Sequence, residues 1–413
     1  MYPLLRGLRI VECASFIAAP SCALHLQQMG AQVIRIDPIG GGPDAHRWPL
    51  SANGSSLYWE GLNKGKLSIA VDFASPEGRA LVAQLVCAPG DGGGLFVTNF
   101  PADGFLSHER LRQGRADLIT TRIMGWADGT PAVDYTVNAA IGVPYMTGAV
   151  TASAQPPEAP EPVNHVLPAW DLLAGAYAAF ALLAAERHRH ATGQGQEVRV
   201  PLSDIAIASL GHLGQIAEVH SGTDRPKMGN TLFGAFGRDF KTADGKRLMV
   251  VAITPRQWAG LVKALDLGAA MAAIEAALGV SFMKDEGLRF THRDVLTPLV
   301  EAAIVRRSSN ALAIAFDANG VCWGPYHTLK SALAEEPRLV SANPLFSPVT
   351  HPSGLTYPTP GAAASFSQIE RANATRAPRQ GEHTDQVLGE LLGLSNTQIG
   401  HMHDRGLVAG PHT

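Results

Sequence analysis

The spacing of hydrophobic and polar positions changes several times along the chain, and each change marks an element. Residues 8–12 and 33–36 are short apolar runs, and residues 20–30 between them carry a helical spacing. That order predicts strand, helix, strand, the βαβ unit from which parallel sheets are built. Pro20 suits the first position of the helix and Gly30 its C-terminal cap. Runs at 67–73, 95–99, 118–123 and 197–200 add further strands, with helical spacing between most of them.

A helical pattern runs from 203 to about 220, where SGTDRPKMGN breaks it. Beyond the break, KTADGKRLMVVAI sets Asp244 and Gly245 between two strand-like runs, which predicts an antiparallel hairpin, and helices follow at 258–267 and 269–278. From about 335 the chain is rich in Pro and Gly until a helical pattern resumes at 386–394, so the tail is expected to rejoin the first domain. The expected fold is α/β. A large Rossmann-like parallel-sheet domain covers 1–205, a linker and smaller α+β domain cover 206–329, and a return linker with the last part of the large domain covers 330–413.

Composition narrows the function classes. A chain of 413 residues exceeds the roughly 250 at which one core usually divides. Hydrophobic residues make up 46% and charged ones 17%, below the roughly 25% of typical domains, which argues against global disorder and for much buried or interface surface. Lys+Arg number 33 against 36 Asp+Glu, so no cationic excess is available for nucleic acid. Cys13, Cys22, Cys87 and Cys322 have neither metal-ligand spacing nor the density of a disulfide framework, so no metal is expected and a reducing cytoplasm fits best. The first residues lack an apolar signal core, and the apolar run 172–185 is shorter than the roughly 20 residues that span a bilayer. It reads as a buried core helix, with no membrane partner expected.

The βαβ start invites a dinucleotide reading, but the first turn, ECASFIAAPS, holds no glycine where GxGxxG needs backbone against a pyrophosphate. Gly40, Gly41 and Gly42 follow the second strand and read as a turn. P-loop, HExxH and GxSxG signatures are absent.

Several stretches carry a resemblance when taken in order: GLRIVE, AAP and LQQMGAQVIRID, then NKGKLSIAVDF, VTNF, DLLAGAYAAFALLAAERHRHATGQGQEVRV and GEHTDQVLGELLG. Together they resemble the class III CoA-transferase family over nearly the whole chain. RIDPIGGG, HRWP, GLNKGK, VTNFPA, VDYTVN, NHVLPAWD and GAFGRDF resemble a branch of it that moves CoA between the two carboxyls of one mesaconyl unit. The resemblance implies an interlocked homodimer and an acyl-CoA substrate, with coenzyme A part of the substrate and no tightly bound cofactor.

The resemblance places the nucleophile at Asp171. Taken alone, an acid in the first turn of a helix is a cap or dipole partner. In the family motif it is the carboxylate that attacks the thioester, passing through a mixed anhydride and an aspartyl-CoA thioester. The CoA groove is implied at Ile17, Ala18, Val71, Asn99 and Phe100, with Arg35, Arg47, Lys64 and Lys66 as candidate cations. Arg47, Asp134, Gly229, Asn230 and Arg238 are the substrate-end candidates, and 229–237 is the candidate oxyanion loop, although the family's glycine run is missing there. Phe233 and Phe236 serve as a lid or as ordinary core.

The chain departs from its relatives at the substrate end. Ile17 stands where formyl-CoA transferase has glutamine, and the NFxPGxxxR pattern is contracted to NFPADGFLSHER. Val133 stands where the related racemases carry a histidine base, which argues against proton abstraction. His165, His212 and His383 are expected to be structural. Transfer within one mesaconyl unit and transfer between two acids both stay open, as does a CoA-binding protein in which Asp171 merely caps a helix.

Overall fold

In the computed structural model of the chain the described residues are 1–150 and 161–411, and they form two compact units. The first comprises 1–141, 166–223 and 337–413, and the second 142–165 and 224–336.

The first unit opens with β1 (Arg9–Cys13), α1 (Ala18–Gln28), β2 (Gln32–Pro38), α2 (Leu57–Leu62), β3 (Leu67–Val71), α3 (Pro76–Cys87) and β4 (Leu95–Thr98). It continues through α4 (His108–Gly114), β5 (Ile119–Met124) and α5 (Asp134–Ala140). After α6 (Val143–Met146) of the second unit come α7 (Ala169–Thr192), β6 (Glu197–Pro201), α8 (Leu202–His212) and α9 (Gln215–His220). The predicted helix past 203 is thus two helices, because Gly214 adopts a left-handed φ of 78° and ends the first. Helix α1 starts two residues earlier than expected, which leaves Pro20 in its first turn, where a missing N–H costs nothing. Gly30 does follow it with φ 108°, and a Cβ there would lie 2.3 Å from the Tyr2 carbonyl.

The second unit holds β7 (Phe236–Lys241), β8 (Arg247–Ala252), α10 (Pro255–Ala264), α11 (Gly268–Leu278), α12 (Glu286–Thr291), α13 (Arg293–Ile304), α14 (Ser309–Asn319), β9 (Cys322–Pro325) and α15 (Leu329–Glu335). Strands β7, β8 and β9 form an antiparallel sheet whose first turn is the predicted one at Gly245. Its apolar face is covered by Trp258, Phe282, Leu296 and Phe316. Residues 142–150 and 161–165 cluster with this unit, whereas the sequence pattern placed them in the large domain. They are tied there by Gly229 N–H donating to Gly148 O at 3.1 Å.

The chain then returns to the first unit through β10 (Phe346–Thr350), β11 (Thr356–Pro360), α16 (Thr384–Leu392), α17 (Asn396–Asp404) and β12 (Val408–Ala409). The main sheet has the order β12-β3-β2-β1-β4-β5-β6, parallel except for β12. Residues 381–384, the GEHT segment, fasten strand β3, next to the edge strand β12. Gly381 N donates to Ser68 Oγ, Ser68 N to His383 Nδ1, and Ala70 N to Thr384 Oγ1. His383 is therefore structural.

Helix α7 is long and apolar enough, by length and composition, to cross a membrane. One face, with Ala174, Gly175, Ala178, Leu182 and Ala185, is buried in this unit. Leu173, Tyr177 and Phe180 on the remaining surface are exposed, so the expected core helix is covered on one side only.

Candidate active site

The strand order reverses between β1 and β4, and in an open parallel sheet ligands bind beyond the strand C-termini at such a reversal. The chain builds a cavity there of about 380 Å³. Phe16, Ile17 and Ala18 reach it from the end of β1, Asn99 from β4, Met124 and Gly125 from β5, Arg47 and Tyr58 from the segment after β2, Asp134 from α5 and Asp171 from α7. Asn99 ties two of these loops together, accepting from Ser15 N at 3.0 Å and donating to Ser15 O at 2.8 Å. Phe16 takes a left-handed φ of 67°, a strained conformation for a bulky residue and one that clusters at functional sites.

Asp171 sits at the third position of α7, whose N-terminal flank, Pro168, offers no side-chain cap. The cap comes from α5. Asp134 Oδ2 accepts from Trp170 N at 2.7 Å and from Asp171 N at 3.0 Å. Trp170 Nε1 in turn donates to Asn138 Oδ1 at 3.0 Å, so three bonds lock α5 to the first turn of α7. Burial pushes the Asp171 carboxyl up to about 7, with the Asp134 charge adding to the rise and Arg47 opposing it. Arg47 is the one cation among the described residues lining the cavity, held 5.5 Å from the Phe16 ring centroid and 5.3 Å from that of Tyr58. A half-buried carboxylate with raised basicity, a cation and an otherwise mostly apolar wall suit nucleophilic attack on an acyl group that itself carries a negative charge.

The model of CoA-transferase family III matches residues 5–384. The chain belongs to CoA-transferase family III. The 2-methylfumaryl-CoA isomerase of Chloroflexus aurantiacus is 49% identical to it over 413 residues, covering 100% of this chain and 99% of that protein. The human succinyl-CoA:glutarate CoA-transferase is 27% identical over 418 residues, covering 98% and 90%. Among solved structures, a CAIB/BAIF family protein from Brucella suis superposes with a TM-score of 0.74 at 25% identity, covering 94% of this chain and 99% of that one. As a family III CoA-transferase the protein is an enzyme acting on acyl-CoA.

In this family III CoA-transferase the cavity gathers Ile17, Ala18, Arg47, Asn99, Asp134 and Asp171 from the residues singled out in the sequence. The others are elsewhere. Arg35 is fully buried and spends its donors on Glu12, Asp37, Asp44 and Asn63, so it is an internal counter-ion and not a phosphate ligand. Val71 is fully buried in the core and paired with Val408. Phe100 packs on that core, edge-on to Phe73 at 6.5 Å. Lys66 is likewise committed, to Glu12 at 2.7 Å, and buried Lys64 is pushed down to about 8 by desolvation with Lys66 adding to the fall.

Gly229, Asn230 and Arg238 belong to the second unit. Gly229 has φ 58°, Asn230 is exposed, and Arg238 lines a separate cavity of about 560 Å³ with Lys227 and Arg293. Phe236 is core, 5.3 Å from Trp258, while Phe233 is exposed and lies tilted against Phe290 at 5.0 Å. Sequence reasoning missed Phe16 and Tyr58. Phe16 lies in the loop after β1 and Tyr58 in the short helix α2, with no spacing signal to mark either.

Proposed function

We propose that the enzyme moves CoA between the C1 and C4 carboxyls of one 2-methylfumaryl (mesaconyl) unit, with Asp171 as the nucleophile. An Asp171 oxygen attacks the C1 thioester carbonyl, the C–S bond breaks, and CoA thiolate leaves a mixed anhydride. The thiolate then attacks the aspartyl carbonyl, the anhydride bond breaks, and the free dicarboxylate departs from an aspartyl-CoA thioester. The C4 carboxylate attacks that thioester, thiolate leaves again, and its attack on the C4 carbonyl restores Asp171. No proton is gained or lost overall.

The observation that carries this reading is the placement of Asp171 in a mostly apolar cavity whose cation is Arg47, where burial raises its basicity. Reference values of about 3.9 for an aspartate and about 8.5 for a thiol leave a leaving-group gap of roughly 6 kcal/mol. A carboxyl pushed up to about 7 removes most of it. Arg47 holds the carboxylate that is not reacting, and full-length identity of 49% to a 2-methylfumaryl-CoA isomerase supports the acyl group. Transfer between two separate acids is the second reading, favoured by the name of the succinyl-CoA:glutarate relative.

The reading includes a homodimer with interlocked chains, supported by the exposed Leu173, Tyr177, Phe180 and Leu213, and a reducing cytoplasm, supported by four unpaired cysteines. The test is incubation with mesaconyl-C1-CoA and isotopically labelled free mesaconate. Unlabelled C4 product is expected; labelled product, or a requirement for added acid, overturns intramolecular transfer. Hydroxylamine trapping followed by mass spectrometry is expected to mark Asp171.

A further inference from the structure

The N-terminus of α7 lacks a cap of its own, and the N–H groups at its second and third positions, where a capping side chain would accept, instead meet a carboxylate from a different helix, Asp134 of α5. Asp134 is 2% exposed, and its second oxygen, Oδ1, is buried with no hydrogen-bond donor among the described residues. A buried carboxylate oxygen left unpaired is costly, and a neutral Ser would cap the helix without leaving that orphan. Something other than capping has to account for the charge.

We propose that Asp134 is a positioning residue for Asp171, fixing the backbone of the nucleophile through the cap while keeping a negative charge, with one oxygen unpaired, beside its carboxylate. The inference deepens the proposed function and rests on Asp171 being the nucleophile. The charge serves the chemistry in both directions. It makes Asp171 a stronger nucleophile toward the thioester and a poorer leaving group from the anhydride, which brings carboxylate and thiolate closer in leaving ability.

The other groups around Asp171 do not supply this effect. Arg47, after β2, acts in the opposite sense, and Tyr58 of α2 is itself pushed up to about 12, mainly by burial, and is neutral at working pH. Tyr135 shares α5 with Asp134 and donates to Val166 O. Helix α1 meets α7 through Ala18 and Ser21, α8 brings Leu202 to the cavity, and Arg122 and Glu197 of β5 and β6 pair with each other at 3.0 Å.

The deciding variant is Asp134→Asn, which retains an oxygen for the cap and removes the charge. Its first readout needs no turnover: carbodiimide labelling of Asp171 in the substrate-free protein, followed across pH by peptide mass spectrometry. The labelling midpoint is expected to fall by about one unit relative to wild type. The second readout is the pH profile of kcat/KM for CoA transfer, whose acid limb is expected to move the same way, with kcat lowered roughly tenfold and KM little changed. Asp134→Ala, which also loses the cap, is expected to lose more activity. Asp134→Ser keeps a capping oxygen without the charge and is read the same way should the Asn variant not fold. An unmoved labelling midpoint in a folded Asn or Ser variant overturns the proposal, whatever the activity. A wild type that labels as expected but transfers no CoA overturns the proposed function alone.

Discussion

Replacing Gly175 by alanine tests how closely α1 and α7 approach beside the nucleophile. A Cβ at Gly175 would lie 2.0 Å from Ser21 Oγ and 2.7 Å from the Ala18 carbonyl oxygen. Ser21 Oγ already donates to that carbonyl at 3.0 Å, so turning it aside gives up a buried hydrogen bond worth about 1 kcal/mol. Ala18 O is backbone, and relief there requires α1 to back away, an overpacking cost of about 1–3 kcal/mol. The helix propensity of alanine returns about 1 kcal/mol. The net expectation is a destabilisation of about 1–3 kcal/mol, read as a lowered denaturant midpoint. Activity should fall further than stability, because the displaced helix carries cavity-lining Ala18 and its flank Ile17. Gly400 is the control: it lies in α17 with nothing within 4 Å of its would-be Cβ, and Gly400→Ala should stabilise by up to about 1 kcal/mol. A Gly175→Ala protein as stable and active as wild type would refute the close-approach argument.

Three further outcomes follow from the same geometry. Asp171 keeps its proton in the folded protein where the unfolded chain, at 3.8, has lost it, so wild type sheds stability as pH climbs from about 4 to about 7. Asp171→Asn should therefore be inactive yet melt higher than wild type at pH 8, with the advantage fading toward pH 4 in a series of thermal melts. Arg35→Leu strands the buried Asp37 and Asp44 carboxylates and leaves Glu12 with Lys66 as its remaining cation, and should cost about 3–5 kcal/mol in urea unfolding, with no gain from added salt. Arg47→Ala should leave stability nearly unchanged but lower kcat/KM for a dicarboxylic acyl-CoA by about a hundredfold. Arg47→Lys should restore only part of it, because an ammonium lacks the planar fork.

The parallel sheet was legible because its buried strands are dense in Val, Ile and Leu, and the hairpin because Asp244-Gly245 punctuates it. The two residues of β12 were not, since no local pattern distinguishes a pair that acquires its partner, β3, from more than 300 positions away. Arg35 was misjudged although its signal was present: Asp37 lies two residues on, on the same face of the strand, and Glu12 is in the neighbouring one. Asp171 was found through the motif around it, and Asp134 was noted only as a substrate-end candidate. Its bonds to Trp170 and Asp171 join residues that no helical or strand period relates. Tyr177 and Phe180 read as core because α7 is apolar nearly all round, and periodicity does not tell a buried face from one left open.

The pairing of β3 with β12 has a consequence for biosynthesis. Its flank on the main sheet is closed by residues that include 381–384 and 407–409, whereas β2 on the other side is available as soon as the first 71 residues exist. During translation the growing chain must carry an unsaturated sheet margin while all of 224–336 is being made. Ribosome-bound intermediates halted before residue 381 should therefore be the forms most dependent on chaperones, and slowing synthesis alone would not spare them.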